Sequence, residues 1–261
     1  MSDEKDPVPV LQVNQLSVNY GKTAALWDVS LKVPSGKLIG IVGPNGAGKS
    51  TFLQTVLGLI APISGNVLFF GQPLKKVRLR VAYVPQRQCV DWDFPITVRD
   101  LVLMGRYGKL GWLRWPRQAD YVAAEHYLDM LGMLPYADRQ ISQLSGGQQQ
   151  RVFIARALLQ EADVYFMDEP FAGIDSATEA VILDILRQLR AKNKTIFVVH
   201  HGLNHVESYF DWLIILNMRL IACGEVKDVF NAETLYAAYG KNCALFDEAL
   251  KLSKQKSEGI L

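Results

Sequence analysis

A chain of 261 residues, 49% hydrophobic and 21% charged, can bury a sizeable core as one large domain or two small ones. Its formal net charge of +2 gives no electrostatic footprint for a nucleic-acid partner, and no run approaches the roughly 18–20 apolar residues of a membrane-spanning helix. Cys89, Cys223 and Cys243 form neither a C-x-x-C pair nor an even-numbered disulfide framework, which fits a reducing compartment. The acidic, proline-containing start, residues 1–9, reads as a flexible segment and not as a secretory or targeting signal.

Between Val10 and about Pro85 the sequence is strand-rich. Residues 11–16 and 28–33 alternate as half-buried strands do, punctuated by Gly21 and the turn Pro34-Ser35-Gly36. The continuous apolar run 38–42 predicts a buried strand, and residues 51–57 predict the start of a helix. From about 97 to 142 the texture changes, and Tyr121, Ala124, Tyr127, Leu128 and Leu131 fall on one helical face of residues 117–131. Beyond it come a helix from Gln149, a strand over 164–167, a helix over about 177–190 and a strand over 195–199. That alternation predicts a mainly parallel sheet flanked by helices. Residues 245–261 form a polar, lysine-containing tail, a loosely held helix or a disordered segment.

Three motifs carry chemistry. Gly43-Pro44-Asn45-Gly46-Ala47-Gly48-Lys49-Ser50 is a full G-x-x-x-x-G-K-[ST] loop between the predicted strand and helix. Its glycines let backbone N–H groups wrap a phosphate chain, Lys49 reaches the β- and γ-phosphates, and the Ser50 hydroxyl suits Mg²⁺. The apolar strand 164–167 ends in Asp168-Glu169; after a phosphate loop, the first acid suits orienting a metal and the second suits polarising an attacking water. Leu144-Ser145-Gly146-Gly147-Gln148 combines a hydroxyl and two glycines before a helix, a second anion-accepting N-terminus or, more blandly, a capped tight turn.

Together the phosphate loop and the 144–148 motif make the chain resemble the ATP-binding cassette (ABC) ATPases over roughly residues 11–240. The resemblance implies an α/β P-loop NTPase cassette over 10–244, with a mainly parallel core sheet, an N-terminal antiparallel β subdomain and a helical subdomain over about 87–143. It implies ATP and Mg²⁺ bound by Gly43, Pro44, Asn45, Gly46, Ala47, Gly48, Lys49, Ser50 and Thr51, with Ser50, Gln86 and Asp168 as metal ligands. Glu169 corresponds to the catalytic glutamate. Ser145, Gly146, Gly147 and Gln148 correspond to the signature that closes on ATP held by a second copy, hence an ATP-dependent homodimer. Tyr20 matches the aromatic that stacks on adenine, with a surface strand tyrosine as the alternative, and Asp175 matches an aspartate that communicates across the dimer. Family members usually carry one switch histidine followed by Asp and Leu. Aligning on Leu203 puts the switch at His201, with His200 the alternative, and the sequence departs from the pattern at Gly202.

The same resemblance implies a free-standing ATPase subunit, peripheral on the cytoplasmic face of the membrane, serving integral-membrane permease subunits and indirectly an extracytoplasmic metal-binding protein. Residues 91–107, with Trp92, Asp93, Phe94 and Pro95 at one end and Met104, Gly105, Arg106 and Tyr107 at the other, resemble a segment of manganese, zinc and iron importers. Manganese is the first expectation, zinc the second and iron the third; siderophore import, an unfused exporter and a nucleotide switch without transport are the alternatives. The segment is expected to meet the permease through Trp92, Phe94 and Pro95, with Arg106 as an orienting charge, or else simply to pack a helix start.

Overall fold

The computed structural model describes residues 8–240 apart from Lys22, Gln88, Cys89, Asp91, Trp112 and Leu113. The tail expected over 245–261, most of the flexible start, and Asp91 of the expected docking segment therefore lie outside the described residues. The chain divides into two compact units, one holding residues 8–77 and 197–240, the other residues 78–196.

In the first unit β1 (Leu11–Tyr20) pairs antiparallel with β2 (Thr23–Val33). Both strands outrun the lengths expected from alternation, for one reason. Gln15 and Asp28 take left-handed backbone, φ 47° and 52°, and the β1–β2 register shifts along this stretch. A bulge residue reverses the inward parity, so Leu11 and Val13 face the core before the Gln15 bulge and Leu16 and Val18 face it after. β3 (Leu38–Val42) is buried throughout, as its unbroken apolar run requires, and leads through the glycine loop into α1 (Lys49–Val56). β4 (Ser64–Phe69) and β5 (Gln72–Pro73) complete a sheet ordered β2-β1-β4-β5, followed by the single turn α2 (Leu74–Val77).

In the second unit β6 (Val81–Val84) runs parallel to β7 (Val164–Asp168), with Val81 opposite Val164 and Val84 opposite Met167. Between them lie α3 (Val98–Leu110), α4 (Gln118–Met130) and α5 (Gly146–Leu159); α6 (Ser176–Ala191) follows β7. Ala124, Leu128 and Leu131 are buried along α4 as the periodicity predicts. α5 begins three residues before the expected Gln149. The Ser145 hydroxyl accepts from Gln148 N–H at 3.4 Å and the Gln148 side chain accepts from Ser145 N–H at 2.9 Å, so this capping box draws both glycines into the first turn.

β8 (Thr195–Val199) returns the chain to the first unit, which closes with α7 (Val206–Tyr209), β9 (Trp212–Asn217), β10 (Arg219–Glu225), α8 (Val226–Val229) and α9 (Ala232–Tyr239). β9 lies parallel to β3 and antiparallel to β10.

Two packing details bear on the site. Arg106, expected as an exposed orienting charge, is only 19% exposed and bridges Asp120 at 3.0 Å and Glu161 at 2.8 Å, so it ties α3 to α4 and to the turn after α5. At Gly105 a Cβ would stand 2.3 Å from the Arg156 carbonyl oxygen, so α3 and α5 approach as closely as they do only because that residue is glycine. Gly105→Ala is expected to lower stability by about 1–3 kcal/mol in urea denaturation, overpacking outweighing the helix-propensity gain of alanine.

Candidate functional site

The glycine loop wraps the start of α1. A Cβ at Gly43 would lie 2.0 Å from the Leu216 carbonyl oxygen, and one at Gly48, with φ 85°, would lie 2.6 Å from the Ala25 carbonyl oxygen. No other residue type fits at either place. Asn45 and Gly46 form the exposed crest, Pro44 is half-buried and Ala47 is buried. Lys49 is 5% exposed, and its ammonium curls back to the Gly43 and Pro44 carbonyls at 2.8 and 3.0 Å. Ser50 is half-buried and Thr51 buried on the first turn of α1. The loop is also held from a place that nothing in the local sequence announces. Met218, in left-handed backbone between β9 and β10, donates its N–H to the Ala47 carbonyl at 2.9 Å and accepts from Trp27 N–H at 2.7 Å. Tyr20 ends β1, and its side chain lies outside what is described.

In the second unit Asp168 ends β7 at 1% exposure, and half-buried Glu169 follows in left-handed backbone, φ 51°. A non-glycine residue held there stores roughly 1–2 kcal/mol of strain, of the kind that gathers at functional sites. Gln86 is half-buried two residues past β6. Ser145 is exposed at the start of α5, and Gly146, Gly147 and Gln148 are half-buried. A Cβ at Gly147 would touch Ile174 at 3.4 Å, so the segment before Asp175 lies against the α5 start. Asp175 itself caps α6, accepting from Thr178 N–H at 2.9 Å and from its hydroxyl at 2.8 Å.

α1 and α5 share an electrostatic property. Among the described helices of eight or more residues, α3, α4, α6 and α9 each carry an acid in the first turn, which complements the helix dipole. α1 and α5 carry none, and α1 also has no side-chain cap. At these two N-termini no first-turn carboxylate of the chain offsets the helix dipole.

The two histidines part company. The His200 N–H donates to the Ile41 carbonyl at 3.0 Å, at the end of β3, and its ring packs against Tyr209 and Phe210 at 6.0 and 5.7 Å. His201 is exposed. Gly202, where the family pattern has Asp, stands under the His200 ring: a Cβ there would lie 3.3 Å from Nε2. A bulky ring at 200 and a glycine at 202 are one accommodation.

An ABC transporter family profile matches residues 26–172. The manganese transport system ATP-binding protein MntB of Bacillus subtilis is 55% identical over 230 residues, covering 88% of this chain and 92% of that one. The zinc transport system ATP-binding protein TroB of Treponema pallidum is 53% identical over 230 residues, covering 88% and 86%. Among solved structures, a nucleotide-free ATP-binding cassette from an ABC transporter superposes with a TM-score of 0.73 at 26% identity, covering 90% of this chain and 96% of that one. The chain belongs to the ABC transporter family. It has the fold of the family's ATP-binding cassettes, and it binds and hydrolyses ATP.

Burial, with lesser contributions from the charges of His201 and His205, pushes the His200 imidazole down to about 4 from its ordinary 6.5. Between those values the unfolded chain binds the extra proton, so the stability His200 permits is complete above about pH 6.5 and is lost as pH falls toward 4. His200→Gln should flatten the dependence of the urea midpoint on pH across that window.

Proposed function

We propose that this chain powers import of a divalent transition metal, manganese ahead of zinc and iron, through separate membrane permease subunits. Each ATP would be held between the phosphate loop of one copy and the 145–148 turn of a second. The observation that carries this reading is the pair of acid-free helix N-termini, α1 and α5, where one bound nucleotide needs only one phosphate cradle. The metal follows from the relatives, named for manganese transport in Bacillus subtilis and Listeria innocua and for zinc transport in Treponema pallidum. Peripheral association with the cytoplasmic face of a membrane fits a chain in which no described helix is long and apolar enough to cross one.

In this scheme Lys49 turns from the loop carbonyls to the β- and γ-phosphates, and the N–H groups of residues 46–51 follow the phosphate chain. The Ser50 hydroxyl, the Gln86 amide oxygen and the Asp168 carboxylate are hard oxygen donors of the kind Mg²⁺ takes, so the residues fit that ion. The ion these residues would hold with ATP would supply neutralisation of charge on the phosphoryl oxygens. Glu169, in left-handed backbone directly after the buried strand, would polarise the attacking water. His201 would contact the γ-phosphate. Tyr20 stacks on adenine.

Lys49→Ala should abolish tight ATP binding, because it removes a partner of the ground-state phosphates. Glu169→Gln should keep binding and slow turnover by at least roughly 10²-fold, because it acts in the transition state. Titration calorimetry beside steady-state hydrolysis separates the two; equal binding losses would mean one role is misassigned.

Permease docking is assigned to the segment after Gln86. Trp92, Phe94, Ile96, Met104, Ile141 and Phe153 line an apolar groove of about 200 Å³, with Phe94 58% and Met104 42% exposed. Aromatic residues beside an apolar hollow are the usual material of an interface hot spot. With Trp92 and Phe94 both changed to Ala, the isolated chain should keep its ATP affinity while radioactive manganese uptake in cells falls. Lost affinity with retained permease pull-down would return this segment to the core and remove the docking assignment.

A further inference from the structure

We infer that Arg87 is a positioning residue that fixes the first turn of α5 and links it to the apolar groove; this rests on the reading of that turn and that groove given under Proposed function. The Arg87 guanidinium lies flat against Gly146, and a Cβ added there would stand 2.6 Å from Cζ, 2.7 Å from Nη1 and 3.0 Å from Nε. A side chain at Gly146 would have to displace the guanidinium, the movable end of an exposed side chain. Arg87 Nε donates to the Gln149 side-chain oxygen at 3.1 Å. Gln149 is 3% exposed, and its amide nitrogen donates to the Ile141 carbonyl at 3.1 Å, so a buried, fully oriented group holds the guanidinium.

The backbone of the same residue reaches the groove. The Arg87 carbonyl accepts from Trp92 Nε1 at 2.8 Å, and the Trp92 ring meets Phe153 of α5 edge-on with centroids 5.1 Å apart. Gly146, Gln149 and Phe153 are spaced i, i+3, i+7, one face of the helix. Arg87 grips the first turn of that face and Trp92 grips it two turns on. An occupant that moves Trp92 pulls on the Arg87 carbonyl and hence on the turn bearing Ser145, Gly146 and Gly147. A cation beside a helix N-terminus opposes the dipole, so the stability of α5 does not account for a guanidinium at this place. Its fixed orientation relative to the 145–147 backbone is what the contacts secure.

The test compares Arg87→Ala and Arg87→Lys in the full chain, alone and combined with Glu169→Gln. Arg87→Ala should speed amide exchange at residues 145–149 by about tenfold or more, with residues 154–159 unchanged. ATP affinity of the isolated chain should stay near wild type, with the thermal midpoint lowered by no more than the few degrees that one lost hydrogen bond to buried Gln149 costs. ATP-driven self-association of the Glu169→Gln chain should weaken by about tenfold or more when Arg87→Ala is added, with Arg87→Lys recovering most of it. Unchanged exchange, or an unchanged dimer in the double variant, overturns the inference. Parallel losses of ATP affinity and thermal midpoint also overturn it, since they would make Arg87 a general stability contact. If the Glu169→Gln chain does not self-associate at all, the shared-site reading falls, while the exchange measurement still decides whether Arg87 holds the turn.

Discussion

A helix N-terminus exposes backbone N–H donors without intrahelical partners and the positive end of the helix dipole, and this chain manages that constraint in two ways. Four of the longer described helices offset the dipole internally, with Asp100, Asp120, Glu179 and Glu233 in their first turns. α1 and α5 have no first-turn acid, α1 being without a side-chain cap and α5 having only a neutral one. Much of the detail nearby serves to hold those two ends in place. Leu216, Ala25 and Met218 close around the glycine loop with backbone groups, and the capping box of Ser145 and Gln148 pulls Gly146 and Gly147 into α5.

Gly43 and Gly48 admit carbonyl oxygens where a Cβ would stand. Glu169 and Met218 are two of the seven non-glycine residues that take positive φ among the described residues. Such conformations persist only where the surroundings over-determine them. Here the surroundings are a strand buried throughout before Glu169 and a pair of backbone hydrogen bonds on Met218. The proposed roles of Lys49 and Glu169 need that rigidity, because phosphoryl transfer draws its acceleration from positioning and electrostatics.

Much of this was legible in the amino-acid order, and the exceptions have physical causes. The buried strands β3, β7 and β8 were readable because a strand covered on both faces is apolar without interruption. The helical face of α4 followed from its periodicity. β1 and β2 read short because single bulge residues, Gln15 and Asp28, reverse the parity on which alternation depends. The start of α5 read late because two glycines look like loop until their cap is seen. Arg106 read as a surface charge because its partners, Asp120 and Glu161, are 14 and 55 residues away. Met218 left no trace, since it acts through backbone atoms that every residue shares. The histidine pair was readable as a pair only; burial among Tyr209 and Phe210 separates His200 from exposed His201.

The central claim is that one nucleotide site is built from two copies of the chain, and mixing two differently disabled chains tests it most directly. Lys49→Ala removes the phosphate partner of one half-site, and Ser145→Arg blocks the other half-site. Each alone should hydrolyse ATP at background, whereas a mixture forms heterodimers in which one site joins an intact loop to an intact 145–148 turn. An equimolar mixture is predicted to regain about a quarter of wild-type turnover, since half the dimers are mixed and each has one whole site. Full activity of the Ser145→Arg chain by itself, or a mixture no more active than its components, would contradict the account.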